Sequence, residues 1–209
     1  VDFLLGGHFG FKATNDNALV TMTDGFLATT KLDAEFKGVS AHAGAAPEQG
    51  KNALLAACQA AISLNTISRH SQGSSRINVG VLNAGTGRNV VPDIASLKLE
   101  TRGATTEINN YMVSEARRML AACAAMYDVE LKVTMAGGAP ACLPDAELGH
   151  EVAELAKAKC HYDEVSEYVD MGGSEDCGYF MERVQQKGGR ALYMMYGTKI
   201  AAGHHNSHF

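Results

Sequence analysis

The sequence predicts an α/β protein in two parts. An α+β insert of order β-α-β-β-α-β sits inside a second part built from both ends of the chain. Three observations predict this. Four segments alternate apolar and polar residues, the period of a strand with one buried face. Two longer segments between them carry the helical period. The stretches on either side are each too short to bury a core alone, so they are expected to pack together.

The first strand of the insert has Leu32, Ala34 and Phe36 alternating with Lys31, Asp33, Glu35 and Lys37. A loop follows from Gly38 to Gly50. Residues 51–69 read as a helix with Leu55, Cys58 and Ile62 on one face. Ile77, Val79 and Val81 form the second strand, and a turn-rich run, Asn83 to Asn89, leads to the third, with Leu97 and Leu99 between Lys98 and Glu100. Residues 106–126 read as a second helix, with Met112, Ala116, Met119, Leu120 and Cys123 on one stripe. Val129, Leu131 and Val133 alternate as the fourth strand. This order is the split βαβ, ferredoxin-like arrangement, placed at residues 29–136.

Gly137-Gly138-Ala139-Pro140 reads as a linker. Beyond it come a helix at 146–160, a second helix capped near Ser174, and an apolar strand from Ala191 to Tyr196. At the other end, Val1 to Leu5 reads as a buried strand that stops at Gly6-Gly7-His8. Residues 1–28 and 137–209 are expected to share a domain whose remaining portion precedes Val1. The chain does not begin with methionine and ends in a histidine-rich stretch, so it reads as a piece of a longer polypeptide.

Composition removes several function classes. Of 209 residues, 46% are hydrophobic and 20% charged, which excludes a disordered chain. The net charge of −5 implies no basic face, so nucleic acid is not an expected partner. No uncharged apolar run reaches the length of a membrane span, and a signal peptide is not expected, since Asp2 and His8 interrupt the first apolar run. Five dispersed cysteines without a CxxC pair point to reduced thiols in the cytoplasm.

Five clusters could carry chemistry, and each has a plain structural alternative. His8, after an apolar strand, suits a metal ligand or an ordinary strand-end histidine. His204-His205-Asn206-Ser207-His208 suits zinc or manganese, or a polar tail. His42, within Ser40-Ala41-His42-Ala43-Gly44, can donate to a developing oxyanion or bond its own backbone. Asn89 and Arg102 can hold a carboxylate, Arg102 through its planar fork, or serve as turn and surface residues. Met171-Gly172-Gly173-Ser174-Glu175-Asp176 can let a substrate approach the backbone or simply start a helix.

The order of these motifs is more specific than any one of them. SAHAGAAPEQGKNALLAA, then NVVPD, TRG, GGSED and GHHNSHF resembles the M20 family of metallopeptidases and amidohydrolases. The resemblance is greatest to the branch containing bacterial aminobenzoyl-glutamate hydrolases and plant auxin-conjugate amidohydrolases, and it covers the whole chain. It implies a ferredoxin-like lid and dimerisation domain inserted in a zinc-peptidase-like α/β catalytic domain of which only part is present. It implies His8 and His205 as metal ligands and His42 as the lid histidine that reaches the site of the other protomer. It implies Asn89 and Arg102 as holders of the substrate carboxylate, with Gly172 and Gly173 lining the substrate.

The implied activity is hydrolysis of an amide bond in an aminobenzoyl-glutamate-type substrate, with two divalent metal ions, zinc or manganese. The family's general-base glutamate and its first metal-ligand motif are not among these residues, so the chain alone is expected to be inactive. The implied partners are a small-molecule substrate and a second copy through the lid, or a hetero-oligomer with a related B subunit. Hydrolysis of another N-acyl amino acid is the alternative within the class. A non-catalytic ferredoxin-like dimerisation or binding module is the alternative outside it, and it leaves His8, GGSED and GHHNSHF without a purpose.

Overall fold

The computed structural model describes residues 1–10, 13 and 15–200. In chain order the elements are β1 (Phe3–Phe9), β2 (Ala18–Asp24), β3 (Ala28–Lys37), α1 (Ala53–Leu64), β4 (Ser75–Ala84), β5 (Ile94–Gly103), α2 (Thr106–Met126), β6 (Glu130–Ala139), α3 (Ala146–Lys159), β7 (Glu164–Asp170), α4 (Gly178–Gln185) and β8 (Arg190–Tyr196). They form two compact units. One joins Val1–Leu27 to the residues from Ala139 on; the other is Ala28–Gly138. No helix among the described residues is long and apolar enough to cross a membrane.

The inserted unit holds a four-stranded sheet of order β4-β5-β3-β6. β5 pairs antiparallel with both β3 and β4, and Leu32 lies opposite Leu99. Leu32, Ala34, Phe36, Leu97 and Leu99 point to one face and share a core with Met112, Ala116 and Leu120 of α2 and Ala53, Ala56, Ala57 and Ala60 of α1. Both helices therefore cover the same face. Their starts are capped by side chains: Asn52 accepts from the Leu55 N–H, and Thr105 accepts from the Ile108 N–H. A buried polar group locks α2 to the sheet, where Thr101 donates to Asn109 and Asn109 donates to Thr30, each at 2.8 Å.

The inserted unit departs from the sequence expectations in three ways. The helix at 51–69 is shorter, Ala53–Leu64. Its alanine face packs inward, while Leu55 is 45% and Ile62 66% exposed, so the larger apolar residues form its outer face. Alanine allows the helix to approach the sheet closely, which a leucine stripe would prevent. The expected linker at 137–140 does not exist as such, because β6 continues through Gly137 and Gly138 to Ala139.

The split unit holds a second sheet of order β1-β8-β2-β7, with β1 parallel to β8, β8 antiparallel to β2, and β2 parallel to β7. Ala191, Tyr193 and Met195 of β8 pack with Met181 of α4, whereas Met194 packs with Ala156 of α3. Successive strand residues face opposite ways, so the two helices cover opposite faces. β1 is not a buried strand ending at Leu5. It runs to Phe9 as an edge strand with Phe3, Leu5 and Phe9 more than half exposed. Gly6 and Gly7 lie within it because neighbours crowd them: a β-carbon on Gly6 would sit 2.8 Å from the Cys177 sulfur. The helix expected at Ser174 begins at Gly178 instead, and the Ser174 hydroxyl donates to the Leu27 carbonyl at 2.6 Å rather than capping it.

Candidate functional site

Two loops of the inserted unit, 38–52 and 85–93, are tied together through their backbones. Gly38 donates to the Asp93 carbonyl at 2.7 Å, Val91 to Ala41 at 2.9 Å, and Ala43 to Asn89 at 2.9 Å. Val39 and Lys51 exchange bonds across the base of the first loop. A side chain at Gly38 would overlap the Lys51 carbonyl oxygen, so only glycine lets the loop close there. His42 and Asn89 are thus brought to one end of the unit.

The His42 ring is exposed but held. Its Nδ1 accepts from the backbone N–H of Gly44 at 3.1 Å and of Ala45 at 3.0 Å. A nitrogen that accepts carries no proton, so the neutral ring has its hydrogen on Nε2. That N–H belongs to an exposed ring. The Gly44 and Ala45 amides are the functional groups that residue patterns did not show, because backbone donors leave no mark in side-chain type.

Arg102 is elsewhere. It lies near the other end of β5, opposite Thr29 and Arg76, where the chain enters and leaves the inserted unit. The extended stretch from Ile94 to Arg102 spans roughly 27 Å. The Arg102 Nε donates to Glu100 at 2.6 Å, which leaves the two terminal nitrogens of the fork for another carboxylate. Glu100 sits two residues earlier on the same strand face, a pairing the strand period does imply.

In the split unit, Gly172 and Gly173 follow β7. Gly172 has φ +64 and donates to Asp170 at 2.9 Å, while the Gly173 carbonyl accepts from Leu27 at 2.7 Å. Next to them Tyr193 donates to Glu175 at 2.7 Å, and burial, with that bond second, holds the phenol well above its usual range. Burial also pushes the Cys142 thiol up to about 12.

His8 is the penultimate residue of β1, and its Nδ1 lies 2.9 Å from the Phe9 carbonyl. His205 lies outside the described residues. Among the described residues no three His, Cys, Asp or Glu side chains converge as a metal site. Two imidazoles are fewer than the three protein ligands a catalytic zinc takes, so these residues do not by themselves fit the metal.

Residues 27–127 match the M20 peptidase dimerisation domain. The chain belongs to the M20 peptidase family. It is 46% identical along its whole length to indole-3-acetyl-aspartic acid hydrolase of Enterobacter agglomerans, and 45% identical to the A chain of p-aminobenzoyl-glutamate hydrolase of Escherichia coli. It covers 48% of each, so this M20 chain spans about half the length of the curated relatives it matches. The crystal structure of an aminobenzoyl-glutamate utilization protein from Klebsiella pneumoniae superposes with a TM-score of 0.90 at 44% identity, over 95% of this chain and 51% of that one. A Bacillus subtilis structure described as a dinuclear metal binding peptidase from the M20 family shares the fold, with a TM-score of 0.68 at 18% identity, over 99% of this chain and 51% of that one.

Proposed function

We propose that the whole protein hydrolyses the amide bond of p-aminobenzoyl-glutamate to p-aminobenzoate and glutamate. In this reading residues 29–136 are a ferredoxin-like lid and dimerisation domain, and residues 1–28 and 137–209 are part of a zinc-peptidase-like catalytic domain. The single observation that carries it is His42, an exposed imidazole whose Nδ1 is held by two backbone amides. The ring is thereby fixed as a donor. Its Nε2–H stabilises the negative charge that develops on the amide carbonyl oxygen as water adds, and it does so without reorganising.

Arg102 holds a carboxylate of the glutamate part and contributes orientation rather than chemistry. Its distance from His42 gives it a different site. The two residues sit at opposite ends of one sheet, too far apart to grip one small amide. In a homodimer, His42 and Asn89 of one copy therefore complete the site to which the other copy's Arg102 belongs. Gly172 and Gly173 line that site with backbone. His8 and His205 supply two of the ligands for a pair of divalent ions, zinc or manganese, with further ligands from outside this chain. Such ions polarise the carbonyl and activate water when bound. Five unpaired cysteines suit the reducing cytoplasm.

The similarity to indole-3-acetyl-aspartic acid hydrolase favours a second substrate, since both named compounds join an aromatic acyl group to an acidic amino acid. The test is release of p-aminobenzoate by the metal-loaded whole protein, with indole-3-acetyl-aspartate assayed beside it. Faster cleavage of the aminobenzoyl compound is expected. Cleavage of the indole compound alone establishes the second substrate, and cleavage of neither overturns the reading.

A further inference from the structure

We propose that Arg88 is a specificity-determining residue: it binds the side-chain carboxylate of the substrate, so that the amide cleaved joins an acyl group to an acidic amino acid rather than to a neutral one. This deepens the hydrolase reading given above and rests on it for the reaction.

Arg88 lies at the tip of a tight turn. The Val90 N–H donates to the Gly87 carbonyl at 3.4 Å, which leaves Arg88 and Asn89 at the two central positions. The turn is fastened to the His42 loop. Val90 bridges antiparallel to His42, and the Asn89 carbonyl accepts from the Ala43 N–H at 2.9 Å. Residues opposite each other across such a bridge have α-carbons roughly 5 Å apart. Arg88 is two residues from that bridge, so its backbone is placed by the same bonds that place His42.

Nothing in the local fold calls for an arginine here. Neither central residue of the turn has a positive φ, and such a turn accepts most residue types. The Arg88 side chain is exposed, and it joins no hydrogen bond or ion pair among the described residues. The two tied loops carry Glu48, Lys51, Arg88 and Asp93 as their charged residues. Lys51 is held by Asp128 at 2.7 Å. Arg88 is therefore the cation that these loops leave free among the described residues. Its planar fork suits a carboxylate.

The proposed substrate has a carboxylate to match it. A glutamyl or aspartyl unit carries two, and Arg102 holds one. The α-carboxylate is common to every N-acyl amino acid, whereas the side-chain carboxylate distinguishes the acidic ones. That second group needs its own partner once water is displaced from it. It lies several bonds beyond the scissile carbonyl that His42 addresses, and a long guanidinium side chain at the neighbouring turn tip extends to it. A fork placed there grips a charged side chain in two parallel bonds and gives a neutral one no such hold.

The experiment compares p-aminobenzoyl-glutamate with p-aminobenzoyl-glutamine, which has the same shape without the side-chain charge. Both are assayed with the metal-loaded whole protein, unaltered and as Arg88→Gln and Arg88→Lys. The unaltered protein is expected to favour the glutamate compound in kcat/KM. Arg88→Gln is expected to lower that value about tenfold or more, mainly through KM, as loss of a charged hydrogen bond predicts. It is expected to leave the glutamine compound within about twofold and Tm unchanged. Arg88→Lys keeps the charge without the fork and is expected to recover part of the loss. Equal use of both compounds by the unaltered protein overturns the proposal. So does an Arg88→Gln loss of equal size on both compounds, or no loss on either. In each of these outcomes the hydrolase reading stands. Cleavage of neither compound by the unaltered protein overturns the hydrolase reading and the proposal with it.

Discussion

The two sheets of this chain solve burial differently. The inserted sheet has one face under α1 and α2 and the other face polar, and its strands alternate cleanly. The split sheet has helices on opposite faces, so β2 is buried nearly throughout, while its edge strand β1 leaves Phe3, Leu5 and Phe9 open. The inserted unit is therefore complete in its core, and its candidate chemistry lies on loops that its backbone ties in place. The split unit carries its candidate groups on a strand end and a glycine turn, beside apolar surface that nothing in the described residues covers.

The largest effect separates two phenylalanines. Phe36 is fully buried in the inserted core, and Phe36→Ala is expected to destabilise by about 3–5 kcal/mol. Phe9 is 60% exposed and only stacks on Tyr196, so Phe9→Ala is expected to cost about 0.5–1.5 kcal/mol. Denaturant unfolding of both variants measures this, and equal losses would break the comparison. Next is His42→Ala in the whole protein. It is expected to lower kcat by roughly 10²–10³ with an unchanged Tm, as loss of one oxyanion donor does. A change confined to KM would remove the donor role.

Arg102→Ala is expected to raise KM for p-aminobenzoyl-glutamate about tenfold or more, with kcat little changed, as loss of a charged hydrogen bond in binding predicts. An unchanged KM would remove Arg102 from the site. The smallest effect is on pH dependence in the split unit. Burial raises the Cys142 thiol from near 9 to about 12 in the folded chain. The folded state thus binds this proton more tightly than the unfolded state. The stability from the neutral thiol is fully present below about pH 9 and is lost as pH rises toward about 12. Tyr193, also raised by burial, acts in the same sense. Melting curves of Cys142→Ala across that window should fall less steeply than those of the unaltered chain.

Much of the inserted unit was legible because its residues are large and alternate. Met112, Ala116, Leu120 and Cys123 form a stripe that the structure buries as read. α1 misled for the opposite reason: alanines do its packing, and alanine carries little hydrophobic signal. β2 was unread because a strand covered on both faces has no alternation to show, and β7 because its polar edge sequence, EVSEYVD, resembles a loop. At the site, residue types marked His42 and Asn89, but the state of the imidazole depends on the Gly44 and Ala45 amides. Asn89 and Arg102 are thirteen residues apart in sequence, yet an intervening strand carries them to opposite ends of the unit.

That separation is the centre of the account, and mixing two impaired variants of the whole protein, assayed at substrate well below KM, tests it directly. In a dimer of one His42→Ala copy and one Arg102→Ala copy, one site receives both intact residues and the other receives both defects. Equal mixing and re-equilibration should restore about a quarter of the unaltered activity, since about half the dimers are mixed and one of their two sites works. Activity no higher than the average of the two variants alone would contradict it, and would place His42 and Arg102 of one chain in the same site.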